Sequence, residues 1–305
     1  MDVSIIIVNY NTKKLLADCL ASIYEQTKDI DFEVIVSDNA SVDGSIEMLK
    51  ADFPQVILIE NNANLGFGAA NNRGLAIAKG KYIFYLNSDT ILLNNAVKIF
   101  FDYWEKNGEK DNIGALGCNL LNKNLQVIHS YGNFIKTTSF INELVHTIYG
   151  ITKLSFMHVF FNKSTSIPVN DGVRDFYTGE VEYITGADLF VINDSNAKFD
   201  EHYFMYAEEA DLQYELAKQT KKRLIINGPQ IIHLGGASAS KTHDLITING
   251  TFSHIYNNIS RTYFIKKHTN NFLAVITIKT LILLLWCNPF LIRKTPRYFS
   301  KLLSV

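Results

Sequence analysis

The sequence predicts an α/β fold with a mostly parallel sheet. Val3–Val8 is a continuous, β-branched apolar run, the pattern of a strand covered on both faces. Strand-like and helix-like segments then alternate four times before Asp89, which implies right-handed crossovers between parallel strands. Each of the four strands runs into small polar or acidic residues, and in such sheets ligands bind beyond the carboxyl ends of the strands.

The elements follow in order. Thr12 is placed to cap a first helix that carries Leu15, Leu16, Cys19, Leu20 and Ile23 on one face. Phe32–Val36 is the second strand, and Asp43 is placed to cap a second helix running to about Ala51. Val56–Ile59 is the third strand, Phe67–Ala78 the third helix and Tyr82–Leu86 the fourth strand. The polar ends are Asn9-Tyr10-Asn11, then Ser37 to Ser41, then Glu60 to Asn64, then Asn87-Ser88-Asp89. They are expected to converge on one crevice.

Ile113–Cys118 and Gln126–Ser130 read as strands, and 132–180 as a variable loop region with short helices, a candidate acceptor element. Order returns with a strand over Tyr183–Ile192 and a helix over Glu208–Gln219. A strand over Arg223–Ile226 follows, then a loop at His233-Leu234-Gly235-Gly236. A long helix is expected over Thr247–Lys267. The apolar stretch Asn271–Ile292 is interrupted by Lys279 and broken at Asn288-Pro289, so its pure part falls short of the roughly 20 residues that span a bilayer. Lys266, Lys267, Arg293, Lys294, Arg297 and Lys301 flank it. Two readings stand for 271–301: a segment lying in a membrane interface, or a helical hairpin packed on the rest of the chain or on a second subunit in a homodimer.

The whole chain bounds these readings. Its 305 residues suit one large α/β domain, 1–245, in two halves (1–110 and 111–245), plus a helical appendage at 246–305. The 29 Lys and Arg nearly balance 30 Asp and Glu, which gives no electrostatic case for nucleic acid. Three dispersed cysteines form no pair with metal or disulfide spacing, and the first apolar run is too short for a signal peptide. A cytoplasmic setting, peripheral on the inner face of the membrane, is expected.

Read alone, Asp89 could hold Mg²⁺ or Mn²⁺ against phosphates, or Asp89 and Thr90 could cap a helix. Asp38 could meet a ligand or close an Asx-turn. The glycines of 64–74 break the dinucleotide-binding spacing at Asn71; they suit either close approach to a ligand or a helix packed tightly on the sheet. Acids in the turn from Glu208 also complement a helix dipole.

Four motifs in this order carry more: Ser4 to Asn11, Val36 to Ser45, Asn64 to Gly74, and Leu86 to Asp89. Together they resemble the family 2 inverting glycosyltransferases over about residues 1–240, and within them the rhamnosyltransferase-type enzymes of cell-surface polysaccharide synthesis. The resemblance implies a GT-A fold, with 1–110 the nucleotide-binding half and 111–245 the acceptor half, and a nucleotide-sugar donor, dTDP-rhamnose or a UDP-sugar. It implies a lipid-linked or polysaccharide acceptor and a Mg²⁺ or Mn²⁺ cofactor. Val8, Asn9, Tyr10, Asp38, Asn71, Arg73, Asn87 and Ser88 would then line the nucleotide-sugar, and Asp89 and His233 would hold the metal. Asn87 stands where the family's motif begins with an acid. Glu209, with Glu208 beside it, falls on the family's catalytic acid, a Glu in place of Asp, and Gly186, Ala187 and Asp188 on its acceptor-side strand. No QxxRW motif of processive synthases occurs near 215–245. A nucleotidyltransferase is disfavoured by Asn9-Tyr10-Asn11-Thr12 where such enzymes carry a basic Gly-rich loop. The remaining alternative is a non-catalytic nucleotide-sugar- or glycan-binding protein of the same fold.

Overall fold

A computed structural model describes residues 1–152, 173–235, 251–287 and 295–305. The chain divides into two compact units: residues 1–134, 172–204 and 208–235 form the first, and 135–171, 205–207 and 236–305 the second.

The first unit is a sheet with helices on both faces. Its first half runs β1 (Val3–Asn9), α1 (Lys13–Gln26), β2 (Phe32–Asp38), α2 (Ser45–Asp52), β3 (Ile57–Glu60), α3 (Phe67–Leu75), β4 (Tyr82–Asn87), β5 (Thr90–Leu92) and α4 (Ala96–Asn107). Then come β6 (Ile113–Leu121), β7 (Tyr131–Gly132), β8 (Gly179–Glu180), β9 (Tyr183–Ile184), β10 (Asp188–Ile192), α6 (Glu208–Lys218) and β11 (Lys222–His233). The strand order is β3-β2-β1-β4-β10-β6-β11-β5, with β8 on the side of β11. The first four strands are parallel, with Asn9 level with Asp38 and Val8 with Asn87. β10 is inserted antiparallel between β4 and β6.

β1 sits inside this sheet because nothing in Val3–Val8 needs water except Ser4, whose hydroxyl donates to Glu33. Ile5 and Ile7 pack with Leu16, Leu20 and Ile23 of α1 and with Phe84 and Phe100, while Ile6 packs on the opposite face with Tyr85, Phe199 and Leu212. That alternation is the two-residue period of a strand applied to an all-apolar run. Each such buried side chain contributes roughly 1.5–3 kcal/mol.

The second unit holds α5 (Thr137–Thr152), α7 (Phe252–His268), α8 (Phe272–Trp286) and α9 (Phe299–Ser304). Within it Arg261 donates from Nη1 to Glu143 Oε1 and from Nη2 to Glu143 Oε2, and lies 3.9 Å over the Phe140 ring.

Several expectations are corrected. A single 16-residue helix, α5, stands where a variable loop region with short helices was expected. Residues 90–92 form a strand, not the start of a helix. Gln126–Ser130 makes only isolated bridges. The strand expected over Tyr183–Ile192 breaks into β9 and β10 at 185–187, and the strand expected to stop at Ile226 runs on to His233, so His233 is not in a loop. The third helix stops at Leu75. Thr12 sits at the N-cap position of α1 without capping it; Asp43 does so instead, its Oδ2 accepting from Lys13 N while Oδ1 takes Ser45 N at α2. The expectations for 153–172, for 247–250, Gly236, Asn288-Pro289, Ile292, Arg293 and Lys294 lie outside the described residues.

Gly74 gives a sharp test of packing. A Cβ there would lie 2.6 Å from Ile6 Cγ2, in the fully buried core. In a helix Gly→Ala normally gains about 1 kcal/mol. Here overpacking, typically about 1–3 kcal/mol, outweighs that gain. Gly74→Ala is expected to lower the urea midpoint; an unchanged or higher midpoint refutes the close packing.

Candidate active site

Four strand ends in the first unit are joined by side-chain hydrogen bonds. Asn9, fully buried, donates from Nδ2 to Asp38 Oδ2 at 2.6 Å and to Ser41 Oγ at 3.0 Å. Its Oδ1 accepts from Thr12 Oγ1 at 2.6 Å. Because that contact uses the only Thr12 hydroxyl proton, Ser88 is the donor in the 3.0 Å Thr12–Ser88 contact. Asp38, equally buried, also takes Ser41 N at 2.8 Å, so it closes the turn the sequence allowed for. Asn39 reaches the third loop, donating to Asn64 Oδ1 and Gly66 O and accepting from Asn61 Nδ2. Asn39, Ser41, Asn61 and Asn64 lie in the polar strand ends of the sequence but had no role assigned; the signal that marks them is a short polar side chain at every strand end.

The backbone of this region depends on glycine at one position. Gly66 has φ +86°, and a Cβ there would fall 2.0 Å from Phe204 O. That carbonyl accepts Phe67 N at 3.0 Å, which pins the start of α3. Asn71 donates to Phe67 O inside α3 and is 1% exposed, whereas Arg73 is exposed in the last turn. Tyr10 is half exposed and Val8 partly so.

Beyond β4 the chain makes the tight turn to β5. β5 pairs antiparallel with β11, and His233 lies level with Thr90. This brings His233 Nε2 within 3.2 Å of Asp89 Oδ1 and 3.5 Å of Asn87 Nδ2, and Leu234 N donates to Asp89 O. Asp89 therefore precedes a strand, and the helix-cap alternative for it falls. Among the described residues no three His, Cys, Asp or Glu side chains converge as a metal site. One carboxylate and one imidazole nevertheless fit a divalent cation that completes its shell with phosphate oxygens and water, the usual habit of Mg²⁺.

Gly186 and Ala187 lie in the turn before β10. Ala187 O accepts Asn87 N at 3.1 Å, which ties this turn to the Asp89 cluster. On its other side, a Cβ on Gly186 would meet the Phe67 ring at 3.1 Å and Glu209 Cβ at 3.9 Å. Glu209 is therefore the neighbour of the turn. Glu208, only 2% exposed, faces α3 instead, with its Cβ 3.7 Å from the place a Gly68 Cβ would take. Both acids stand in the first turn of α6, after the left-handed pair Tyr206 and Ala207. Burial pushes the Glu209 carboxyl above its ordinary range. Gln213 fixes α6 to β9, accepting from Ile184 N at 2.8 Å and donating to Ile184 O at 2.7 Å.

Asp188 is fully buried at the start of β10. Its Oδ2 accepts Cys118 N at 2.7 Å, and among the described residues its Oδ1 has no hydrogen-bond partner. Burial raises its pKa to about 7; the Cys118 hydrogen bonds and the nearby His233 act in the opposite direction.

Comparison with known proteins fits this geometry. The sequence model of glycosyl transferase family 2 matches residues 4–161. The poly(ribitol-phosphate) beta-glucosyltransferase of Bacillus spizizenii is 34% identical over 121 residues, 38% of this chain and 19% of that protein. A UDP-Glc:alpha-D-GlcNAc-diphosphoundecaprenol beta-1,3-glucosyltransferase of Escherichia coli is 36% identical over 120 residues, 36% of this chain and 47% of its own length. The abequosyltransferase of Salmonella typhimurium is 33% identical over 115 residues, 36% of this chain and 34% of that protein. The matched region thus spans less than half the length of each of these relatives. Among solved structures, a mannosyltransferase from Pyrobaculum calidifontis in complex with GDP-Man and Mn²⁺ shares the fold, with a TM-score of 0.53, 15% identity, and coverage of 99% of this chain and 73% of that one. The expected GT-A architecture is thereby met, and with more than half of the chain matched by the family's own model, this chain belongs to glycosyl transferase family 2.

Proposed function

We propose that this chain is a metal-dependent, inverting glycosyltransferase that moves a sugar from a nucleotide-sugar to a hydroxyl of a lipid-linked or polysaccharide acceptor. The observation that carries the reading is the linked series Asp89–Asn87–Ala187–Gly186–Glu209. It has a metal-competent pair and a half-buried carboxylate on two sides of one turn. The family match and the relatives' own activities support it.

In this reading Asp89 and His233 hold Mg²⁺ or Mn²⁺, which when bound neutralises the leaving nucleoside diphosphate. Asn87 and Ser88 flank that pair, and the strand-end residues from Val8 to Tyr10, with Asp38 behind them, position the nucleoside. Asn71 and Arg73 belong to this reading through the resemblance alone. Glu209 takes the proton from the acceptor oxygen as that oxygen attacks the anomeric carbon. Glu208, turned toward α3, supports the helix start. Gly186 and Ala187 belong to the acceptor side of this reading through the resemblance alone. dTDP-rhamnose and UDP-sugars are the donors to test first, by nucleotide-sugar-dependent thermal stabilisation.

Three outcomes check the reading. Nucleoside diphosphate release should require Mn²⁺ or Mg²⁺, and Asp89→Ala should abolish it; if Asp89→Ala leaves donor binding and turnover intact, the assignment is wrong. Donor stabilisation without any diphosphate release, with or without acceptor, points instead to a binding protein.

Glu209→Gln should lower kcat by about 10²–10⁴ while donor binding persists. Glu208→Gln should cost stability more than kcat, and the reverse result exchanges their roles. Because the base must be ionised and its pKa is raised, the acid limb of kcat should lie above the ordinary Glu value of 4.5.

Asp188 makes a stability prediction. An acid whose folded pKa is raised contributes stability that is fully present below 3.8 and lost as pH rises through about 7. A tenfold difference in proton affinity between the folded and unfolded chain corresponds to about 1.4 kcal/mol. In metal-free buffer, Asp188→Asn should therefore gain urea stability relative to the parent chain between about pH 4 and about pH 8. Parallel curves for the two proteins would remove the buried-acid account.

A further inference from the structure

Charge is distributed unevenly along the chain in a way its overall balance hides. The first 244 residues contain all 30 acidic side chains, against 21 of the 29 Lys and Arg. The last 61 contain eight Lys and Arg and not one Asp or Glu. One of the eight, Arg261, is paired with Glu143.

The same stretch presents an apolar surface. α8 buries Ala274, Val275, Ile278, Ile282, Leu285 and Trp286 within its own unit. Its other side leaves Phe272 and Leu273 each 75% exposed, with Leu284 at 61% and Ile276 at 44%. Leu273, Ile276, Thr277, Thr280 and Leu284 recur at helical spacing and share one face. The two threonines on that face do not need water. Thr277 Oγ1 donates to Leu273 O and Thr280 Oγ1 to Ile276 O, both at 2.9 Å, so each presents mainly its methyl group. Lys279 borders the face and donates to Leu303 O at 3.0 Å, and Lys266 and Lys267 are exposed at the end of α7. Lys279 and Lys266 are near enough that the second lowers the pKa of the first, after burial.

We propose that this face of α8 seats in the interface of a bilayer containing anionic lipid, with Lys266, Lys267 and Lys279 toward the headgroups. A helix of 15 residues is about 22 Å long, against about 30 Å of hydrocarbon, and no helix among the described residues is long and apolar enough to cross a membrane. The apolar face and the acid-free basic flank are the two signals that interfacial binding combines. A second copy of this chain is the poorer occupant. A two-fold interface sets a patch against itself, so cations would meet cations with no acid from residues 245–305 to answer them.

The inference goes beyond the transferase reading and does not require turnover. The full chain is sedimented with vesicles of phosphatidylcholine, alone or mixed with phosphatidylglycerol. Binding to the mixed vesicles should exceed binding to the neutral ones about tenfold or more. Leu273→Glu with Leu284→Glu, both at exposed positions, should weaken it about tenfold or more with the circular dichroism unchanged. Lys266→Glu with Lys267→Glu should erase the preference for anionic vesicles but keep donor-induced thermal stabilisation. The proposal is overturned by no vesicle binding, by binding that both variants leave intact, or by a dimer in solution that the leucine substitutions dissociate. Loss of transferase activity with vesicle binding retained would count against the transferase reading only.

Discussion

The structure of the site depends on one buried polar side chain, Asn9. β1 is apolar along almost its whole length and flanked by strands on both sides, and Asn9 at its end is fully buried. The strand must nevertheless stop and turn there, and turning frees polar groups that need partners. Asn9 supplies them. It takes a carboxylate and a hydroxyl from the region after β2 and a hydroxyl from the start of α1, whose oxygen in turn meets Ser88 after β4. The convergence of strand ends is thus a closed hydrogen-bond system, with Asn39 extending it to the third loop. Replacing one member leaves several buried groups unsatisfied, each costing about 1–3 kcal/mol.

What the sequence made legible were the elements specified locally. β1, β2 and β4 are apolar runs that need no distant partner to be recognised, and their observed limits lie within two residues of expectation. Elements specified by distant pairing were not legible. Thr90–Leu92 is too short to show a period, and it is a strand because β11, far along the chain, lies beside it. The same pairing carries β11 past the bulge around Gly228 to His233. One non-local ladder therefore hid both the turn at Asp89 and the strand status of His233, although the two residues themselves were picked out by motif.

α5 was hidden for a different reason. Its sequence is rich in Thr and β-branched residues, with low helix propensity, and its buried residues Phe140, Leu144 and Val145 sit among polar neighbours. Tertiary contacts rather than propensity hold it, the Arg261–Glu143 pair and the Arg261–Phe140 stack among them. In the site, the geometry also separates two acids that are adjacent in sequence. Glu208 and Glu209 differ by the 100° turn between successive helix positions, and the missing side chains of Gly68 and Gly186 mark which direction each takes.

The antiparallel insertion of β10 has a topological consequence. β6 runs the same way as β4, so it leaves the sheet at the edge where the strand ends converge; β10 runs the opposite way, so it begins at that edge. The chain that joins β6 to β10 therefore begins and ends at that one edge. A segment added just after Leu121 or just before Asp188 would enter and leave at that edge and keep the order of the long strands.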